Sequence, residues 1–202
     1  MVVIKSKFLN YSLNLITRYN SYSNSDIEKL KYGLEGLYLT ITKIIIILII
    51  SLILDMFKET ILVLIFFNII RYFGFGFHAG KSYQCLICSI FNFIVIPYIY
   101  MNLILSDSLL GIICIICITG FILYAPADTV KRPLPNKKKR IIRKSLTVLT
   151  AIIYICLIFI LKNDYLSKLL ISAMTIQAIA VNPLTYKLFN QPYRNYKNYS
   201  NV

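Results

Sequence analysis

A thiol becomes a nucleophile when a neighbouring base can take its proton, and this chain of 202 residues holds one histidine, His78, for five cysteines. Cys85 follows seven positions later in Arg71-Tyr-Phe-Gly-Phe-Gly-Phe-His78-Ala-Gly-Lys-Ser-Tyr-Gln-Cys85. Along an unbroken helix that spacing is a rise of about 10 Å, which keeps both side chains on one face but too far apart to exchange a proton. They meet only if the chain turns between them. Gly74, Gly76 and Gly80, with Lys81-Ser82 interrupting the apolar run, predict such a break. It would put His78 at the end of one helix and Cys85 at the start of the next, where the helix terminus, Lys81 and Arg71 favour thiolate. A lone histidine at a membrane interface beside a cysteine acting as a small hydrophobe accounts equally well for the spacing alone.

The elements that must position this pair are apolar. The chain is 58% hydrophobic with no tryptophan, and its mean hydropathy is +0.70. No soluble domain of this size needs so much apolar surface, so the expected fold class is an all-α integral membrane protein. Six transmembrane helices are predicted, at 37–54, 61–77, 85–105, 109–126, 146–161 and 165–181. The second contains Arg71, and Lys43 and Lys168 must sit near an interface or snorkel. The organisation that follows is an amphipathic N-terminal interfacial segment (1–36), a membrane domain (37–181) with a basic loop at 127–145, and a tail (182–202). In the first segment Ile4, Phe8, Tyr11 and Leu15 recur at helical spacing, and Ser25-Asp-Ile-Glu28 has the form of a capping box.

Short basic loops are retained on the cytoplasmic side. With both termini cytoplasmic, eighteen of the 22 Lys and Arg residues fall on that side, and so do His78 and Cys85. The net charge of +14 is concentrated in Lys131, Arg132, Lys137, Lys138, Lys139 and Arg140, with Arg143 and Lys144 beyond. In a membrane protein this loop fixes topology and lies against anionic lipid; a sharper reading is that it also steers an acidic peptide to the site. Nucleic acid is not an expected partner.

Two C-x-x-C pairs, Cys85/Cys88 and Cys114/Cys117, invite a metal reading. Depth argues against one tetrahedral site, because Cys88 and Cys117 would differ by roughly 13 Å along their helices, whereas thiolates sharing zinc each lie about 2.3 Å from it. Cys114, Cys117 and Cys156 read as buried small hydrophobes. No metal and no cofactor is expected. The chain has no Walker loop, no H-E-x-x-H, no Gly-rich dinucleotide turn and no carboxylate pair inside a span, which counts against an ATP-driven pump, a metalloprotease and a proton-coupled transporter.

The chain resembles the accessory gene regulator B (AgrB) family of integral-membrane cysteine endopeptidases. The likeness rests on Arg71, Gly76, His78, Ala79 and Cys85 at the family's spacing, on Ala125-Pro-Ala-Asp-Thr129 opening a basic loop, and on the six-span layout. One departure is Phe75-Gly76 where the family commonly has Gly-Gly. The resemblance implies a quorum-sensing peptidase that cleaves an AgrD-like signal-peptide precursor near its acidic C-terminal region and, through a thioester, yields a cyclic thiolactone or lactone. Cys85 would be the nucleophile and His78 the base; Arg71 and Gly76 would support the site. Gln84 is a candidate oxyanion donor and Asp128 a candidate partner for His78, and either could equally face water. A homodimer is among the assemblies allowed. The alternative from another class is a non-enzymatic membrane exporter or scaffold for a signal peptide.

Overall fold

The computed structural model describes residues 2–18, 22–129 and 133–199, and it is all-helical. The helices are α1 (Val2–Thr17), α2 (Asn24–Ile53), α3 (Phe57–Gly74), α4 (Ser82–Ile90), α5 (Ile96–Asn102), α6 (Asp107–Tyr124), α7 (Lys137–Leu161), α8 (Asp164–Val181) and α9 (Pro183–Leu188). A π-helical stretch, Phe91–Val95, joins α4 to α5, and a 3-10 turn covers Asn195–Tyr199. Short polar side chains fix the starts: Ser106, Asn136, Asn163 and Asn182 each accept a backbone N–H from the first turn of α6, α7, α8 and α9.

The chain divides into two compact units, Met1–Ile50 and Ser51–Val202. In the first, α2 is capped by Ser23, whose Oγ accepts the Asp26 N–H at 3.3 Å, two residues before the expected box. It then runs unbroken past position 37. The Lys5 ammonium pairs with Glu35, and the Phe8 ring stacks on Tyr38 at 5.3 Å. On α1 Leu9 is buried, and Tyr11 and Leu15, two of the apolar residues expected to lie in the interface, are exposed.

In the second unit α8 is central, packed by α3, α5, α6 and α7. Its buried residues include Leu169, Leu170, Ile171, Met174, Ile176 and Gln177. Among the described residues five helices are long and apolar enough to cross a membrane: α2, Ser82–Asn102 as one, α6, α7 and α8. The remaining expected span corresponds to α3, an 18-residue helix carrying Lys58, Glu59 and Arg71. Exposed isoleucines on α6 and α7, among them Ile112, Ile115, Ile116, Ile153 and Ile160, leave apolar surface that a water-soluble protein would bury. Cys156 is also on the exposed face of α7, which corrects the expectation that it is buried; Cys114 and Cys117 are buried.

Pro97 lies one residue into α5 and lacks the N–H that would reach the Phe93 carbonyl four residues back. The helix accommodates it with the preceding π stretch, and Thr60 Oγ1 on α3 donates to Phe93 O at 3.3 Å. Thr60→Val should therefore lower the thermal midpoint in lipid, a loss of about 1 kcal/mol, and Thr60→Ser should restore it.

Candidate active site

The turn between α3 and α4 has the break that the glycines predict. Phe75 caps α3 with φ 54 and ψ −135, and Gly76 follows at φ 124, a conformation that a side chain would strain. The chain then runs through Phe77, His78 and Ala79 without helix until Lys81, at φ −105 and ψ 141, caps α4. His78 thus lies in the connection, four residues beyond the last residue of α3. Cys85 completes the first turn of α4, its N–H bonded to Lys81 O at 3.1 Å. His78 Nδ1 and Cys85 Sγ are 3.9 Å apart, at the long end of a sulfur hydrogen bond. The imidazole is exposed and the thiol half-buried.

All six main-chain polar groups of Phe75, Gly76 and Phe77 have partners. Phe75 N–H donates to Arg71 O (2.9 Å), Gly76 N–H to Ala127 O (2.9 Å) and Phe77 N–H to Ala180 O (2.7 Å). Their carbonyls accept from Gln177 Nε2 (Phe75, 2.8 Å) and from Arg71 Nη2 (Gly76, 3.4 Å; Phe77, 2.7 Å). Ala127 N–H closes the pattern on Gly74 O at 3.0 Å, an isolated parallel bridge. Tyr186 OH sits between the Ala127 and Asp128 carbonyls at 3.1 and 3.2 Å. The Phe77 ring packs on Phe189 at 4.5 Å and on Tyr186 at 6.0 Å. One end of the bundle, where α3, α6 and α8 finish and α4 and α7 begin, therefore converges on the segment that carries His78.

Arg71 thus binds backbone immediately before His78, and Gly76 is required both by its φ and by space, since a Cβ there would lie 3.0 Å from Ala180 O. Gln84 is half-buried on the first turn of α4 and makes no side-chain hydrogen bond among the described residues. Lys137, Lys138 and Lys139 are exposed, and they stand in the first turn of α7 because Asn136 caps that helix nine residues before the predicted span start. Arg140 is occupied nearby: Nη1 donates to Leu134 O and Pro135 O, both at 2.7 Å, and the guanidinium lies 4.0 Å from the Tyr196 ring centroid. Lys131 and Arg132 lie outside the described residues. Asp128 is 1% exposed and accepts the Leu134 N–H at 3.5 Å; it is not hydrogen-bonded to His78.

Residues 9–181 match the family described as accessory gene regulator B. The chain belongs to the accessory gene regulator B family. An AgrB-like protein of Listeria innocua serovar 6a is 31% identical over 172 residues, covering 85% of this chain and 84% of its own length. The accessory gene regulator protein B of Staphylococcus aureus strain MW2 is 29% identical over 185 residues, covering 88% of this chain and 98% of its own. An AgrB-like protein of Clostridium acetobutylicum is 29% identical over 171 residues, with 85% and 82% covered. No solved structure matches the chain.

In this AgrB-family chain the sequence reading passed over Gln177, Arg143 and Tyr186. Gln177 is fully buried, and an amide within the apolar run 165–181 was its one visible signal. Arg143 Nη1 donates to Tyr72 O at 2.7 Å and its guanidinium lies 4.3 Å from the Phe75 ring centroid, so a residue assigned to the basic loop also braces the end of α3.

Substitutions at two positions test this junction. Gly76→Ala should cost about 1–3 kcal/mol from φ alone, more with the Ala180 contact, measured as a lower thermal midpoint in lipid. Asp128 is a matter of charge. Burial pushes its carboxyl above the usual carboxylate range, and the nearby N–H groups of Leu134, Tyr196 and Asn195 offset part of that rise. Its Oδ1 has no hydrogen-bond partner among the described residues. A carboxyl whose folded value is raised stabilises the fold fully below its unfolded value, and that contribution is lost as pH rises through the folded value. Stability should therefore fall as pH rises through that window, and Asp128→Asn should remove this pH dependence without lowering the midpoint at neutral pH. Asp128→Ala leaves the Leu134 N–H unpaired and should cost about 1–3 kcal/mol.

Proposed function

We propose that this protein is a membrane-embedded cysteine endopeptidase that processes a signal-peptide precursor, with Cys85 as nucleophile and His78 as general base. The observation that carries the reading is the thiol–imidazole distance of 3.9 Å, reached across a turn whose Phe75–Phe77 backbone is fully hydrogen-bonded. Membership of the accessory gene regulator B family supports the substrate class, a short peptide cut near an acidic C-terminal region. Six helices cross the bilayer, α3 joining the five that qualify by composition. The distribution of Lys and Arg supports cytoplasmic termini and a cytoplasmic site.

Cys85 Sγ attacks the scissile carbonyl as His78 Nδ1 takes the thiol proton. The tetrahedral adduct collapses with cleavage of the C–N bond, and the proton held on His78 passes to the leaving amine. The N-terminal part of the precursor stays on Cys85 as a thioester. A Cys or Ser side chain of the same peptide then attacks that carbonyl, and its tether gives it a far higher effective concentration than any external thiol. Ring closure releases Cys85 as a thiol and needs no ATP, because the enzyme thioester is replaced by another thioester or, with Ser, by a more stable oxoester. The exposed Lys137, Lys138 and Lys139 attract the acidic tail of the precursor.

Purified protein in lipid, incubated with precursor and followed by intact mass, tests the reading. Cys85→Ala should abolish cleavage and His78→Ala should slow it by about 10²–10⁴-fold, with protein level in the membrane unchanged. Normal cleavage by Cys85→Ala would refute the assignment. Changing the precursor's internal nucleophile to Ala should leave a Cys85-linked peptide, and linear product with no adduct would reduce the protein to a hydrolase. Charge reversal at Lys137, Lys138 and Lys139 should weaken precursor capture more than turnover, as added salt does. Reporter fusions after Ser106 and Asn163 should read external, and those after Asn136 and Asn190 cytoplasmic.

A further inference from the structure

Cys88, which the proposed peptidase chemistry does not use, stands three residues after Cys85 on the same unbroken helix, α4. Three residues on an α-helix separate Cα atoms by about 5 Å, from 4.5 Å of rise and a chord of about 2.3 Å. That lies inside the range of about 4.4–6.8 Å that disulfides span. Both cysteines are half-buried and neither is in a disulfide. Cys114 and Cys117 share the i,i+3 spacing, but they are buried in α6 with no base beside them. Among the described residues only the first pair has an imidazole beside it, 3.9 Å from Cys85 Sγ, and neither of its members is fully buried.

We propose that Cys85 and Cys88 form a peroxide-responsive pair in which Cys88 resolves oxidised Cys85 to a reversible disulfide that switches the site off. The oxidant is a hydroperoxide, ROOH. His78 takes the Cys85 proton, the thiolate attacks the distal peroxide oxygen, the O–O bond breaks, and ROH leaves with a proton, giving Cys85–SOH. The Cys88 sulfur, losing its proton, then attacks the sulfenic sulfur; an S–S bond forms and water departs. Two thiols have been oxidised by one hydroperoxide, which has been reduced to alcohol and water. Without Cys88 the sulfenic acid proceeds under further peroxide to the sulfinic and sulfonic acids, which thiol reductants do not reverse.

Local structure permits the closure. On a regular helix Cβ atoms three residues apart lie about 5–6 Å from each other, whereas a disulfide needs about 3.5–4.5 Å, so the second turn of α4, from Cys85 to Cys88, must give. The first turn, which leads into it, is held by a cap with no side-chain hydrogen bond. No residue of the nine in α4 is fully buried, and Cys88 meets the core cluster only as a half-buried residue. Closing the bond occupies Cys85 Sγ and draws it from His78 Nδ1.

The inference rests on the thiol reactivity assigned to Cys85 under the proposed function, but mass readout separates the two. The full chain in lipid is treated with hydrogen peroxide, then alkylated, and the peptide containing both cysteines is weighed. Loss of two hydrogens with neither cysteine alkylated, reversed by dithiothreitol together with precursor cleavage, is the expected result. Cys88→Ser should cleave precursor normally before oxidation, then accumulate two or three oxygens on Cys85 and recover no activity with dithiothreitol. If Cys88 remains alkylatable while unmodified protein gains oxygens on Cys85, if peroxide leaves Cys85 unchanged, or if Cys88→Ser recovers as fully as the unmodified chain, the pair is not a switch. Absence of cleavage before oxidation would overturn the peptidase reading instead, and the mass result would still decide the disulfide.

Discussion

Three residues of non-helical backbone, Phe75 to Phe77, cross the end of an apolar bundle with six polar groups that each need a partner. A buried group left unpaired costs about 1–3 kcal/mol, and more where no water reaches it. The surrounding elements answer that demand: Arg71 reaches forward from α3, Gln177 reaches from α8, Ala180 supplies a carbonyl from the last turn of α8, and Ala127 supplies backbone from the connection after α6. None of these residues does chemistry. By fixing the main chain up to Phe77 they fix where the next residue, His78, stands relative to the start of α4, and the 3.9 Å separation from Cys85 follows from that.

The start of α7 shows a second constraint, of opposite sign. Lys137, Lys138, Lys139 and Arg140 occupy its first turn, where the helix already carries partial positive charge, and each exposed cation there is worth roughly 0.3–1 kcal/mol against the helix. Asn136 capping Lys139 N–H offsets some of this, and Arg140 turns back to Leu134 O and Pro135 O. The three lysines find no such relief and point to water. A site that attracts an anionic lipid or an acidic peptide gains from the arrangement that stability alone disfavours.

What the sequence made legible was local. Glycines around a lone histidine gave the break, apolar runs gave the helices, and spacing gave the His78–Cys85 pair. Boundaries moved where caps intervened: Ser23 rather than Ser25 opens α2, and Asn136 carries α7 back over residues that read as loop. The bracing of the turn was not legible, because Gln177, Arg143 and Tyr186 lie 102, 71 and 59 positions along the chain from the backbone groups they bond. Local periodicity contains no information about contacts at that range.

The unequal exposure of the pair bears on the choice between hydrolysis and ring closure. Cys85 is half-buried, so a thioester formed there is partly shielded, but His78 is exposed and an imidazole that can accept a proton from a thiol can accept one from water. On the proposed function, the protein alone therefore does not exclude water from the acyl intermediate. Protection must then come from the substrate itself: the acylated peptide has to lie across His78 while its own nucleophile takes the position that water would fill. Ring closure is in this sense favoured by how long the peptide remains seated, and residues that hold the precursor should govern the ratio of cyclic to linear product more than residues that cut it.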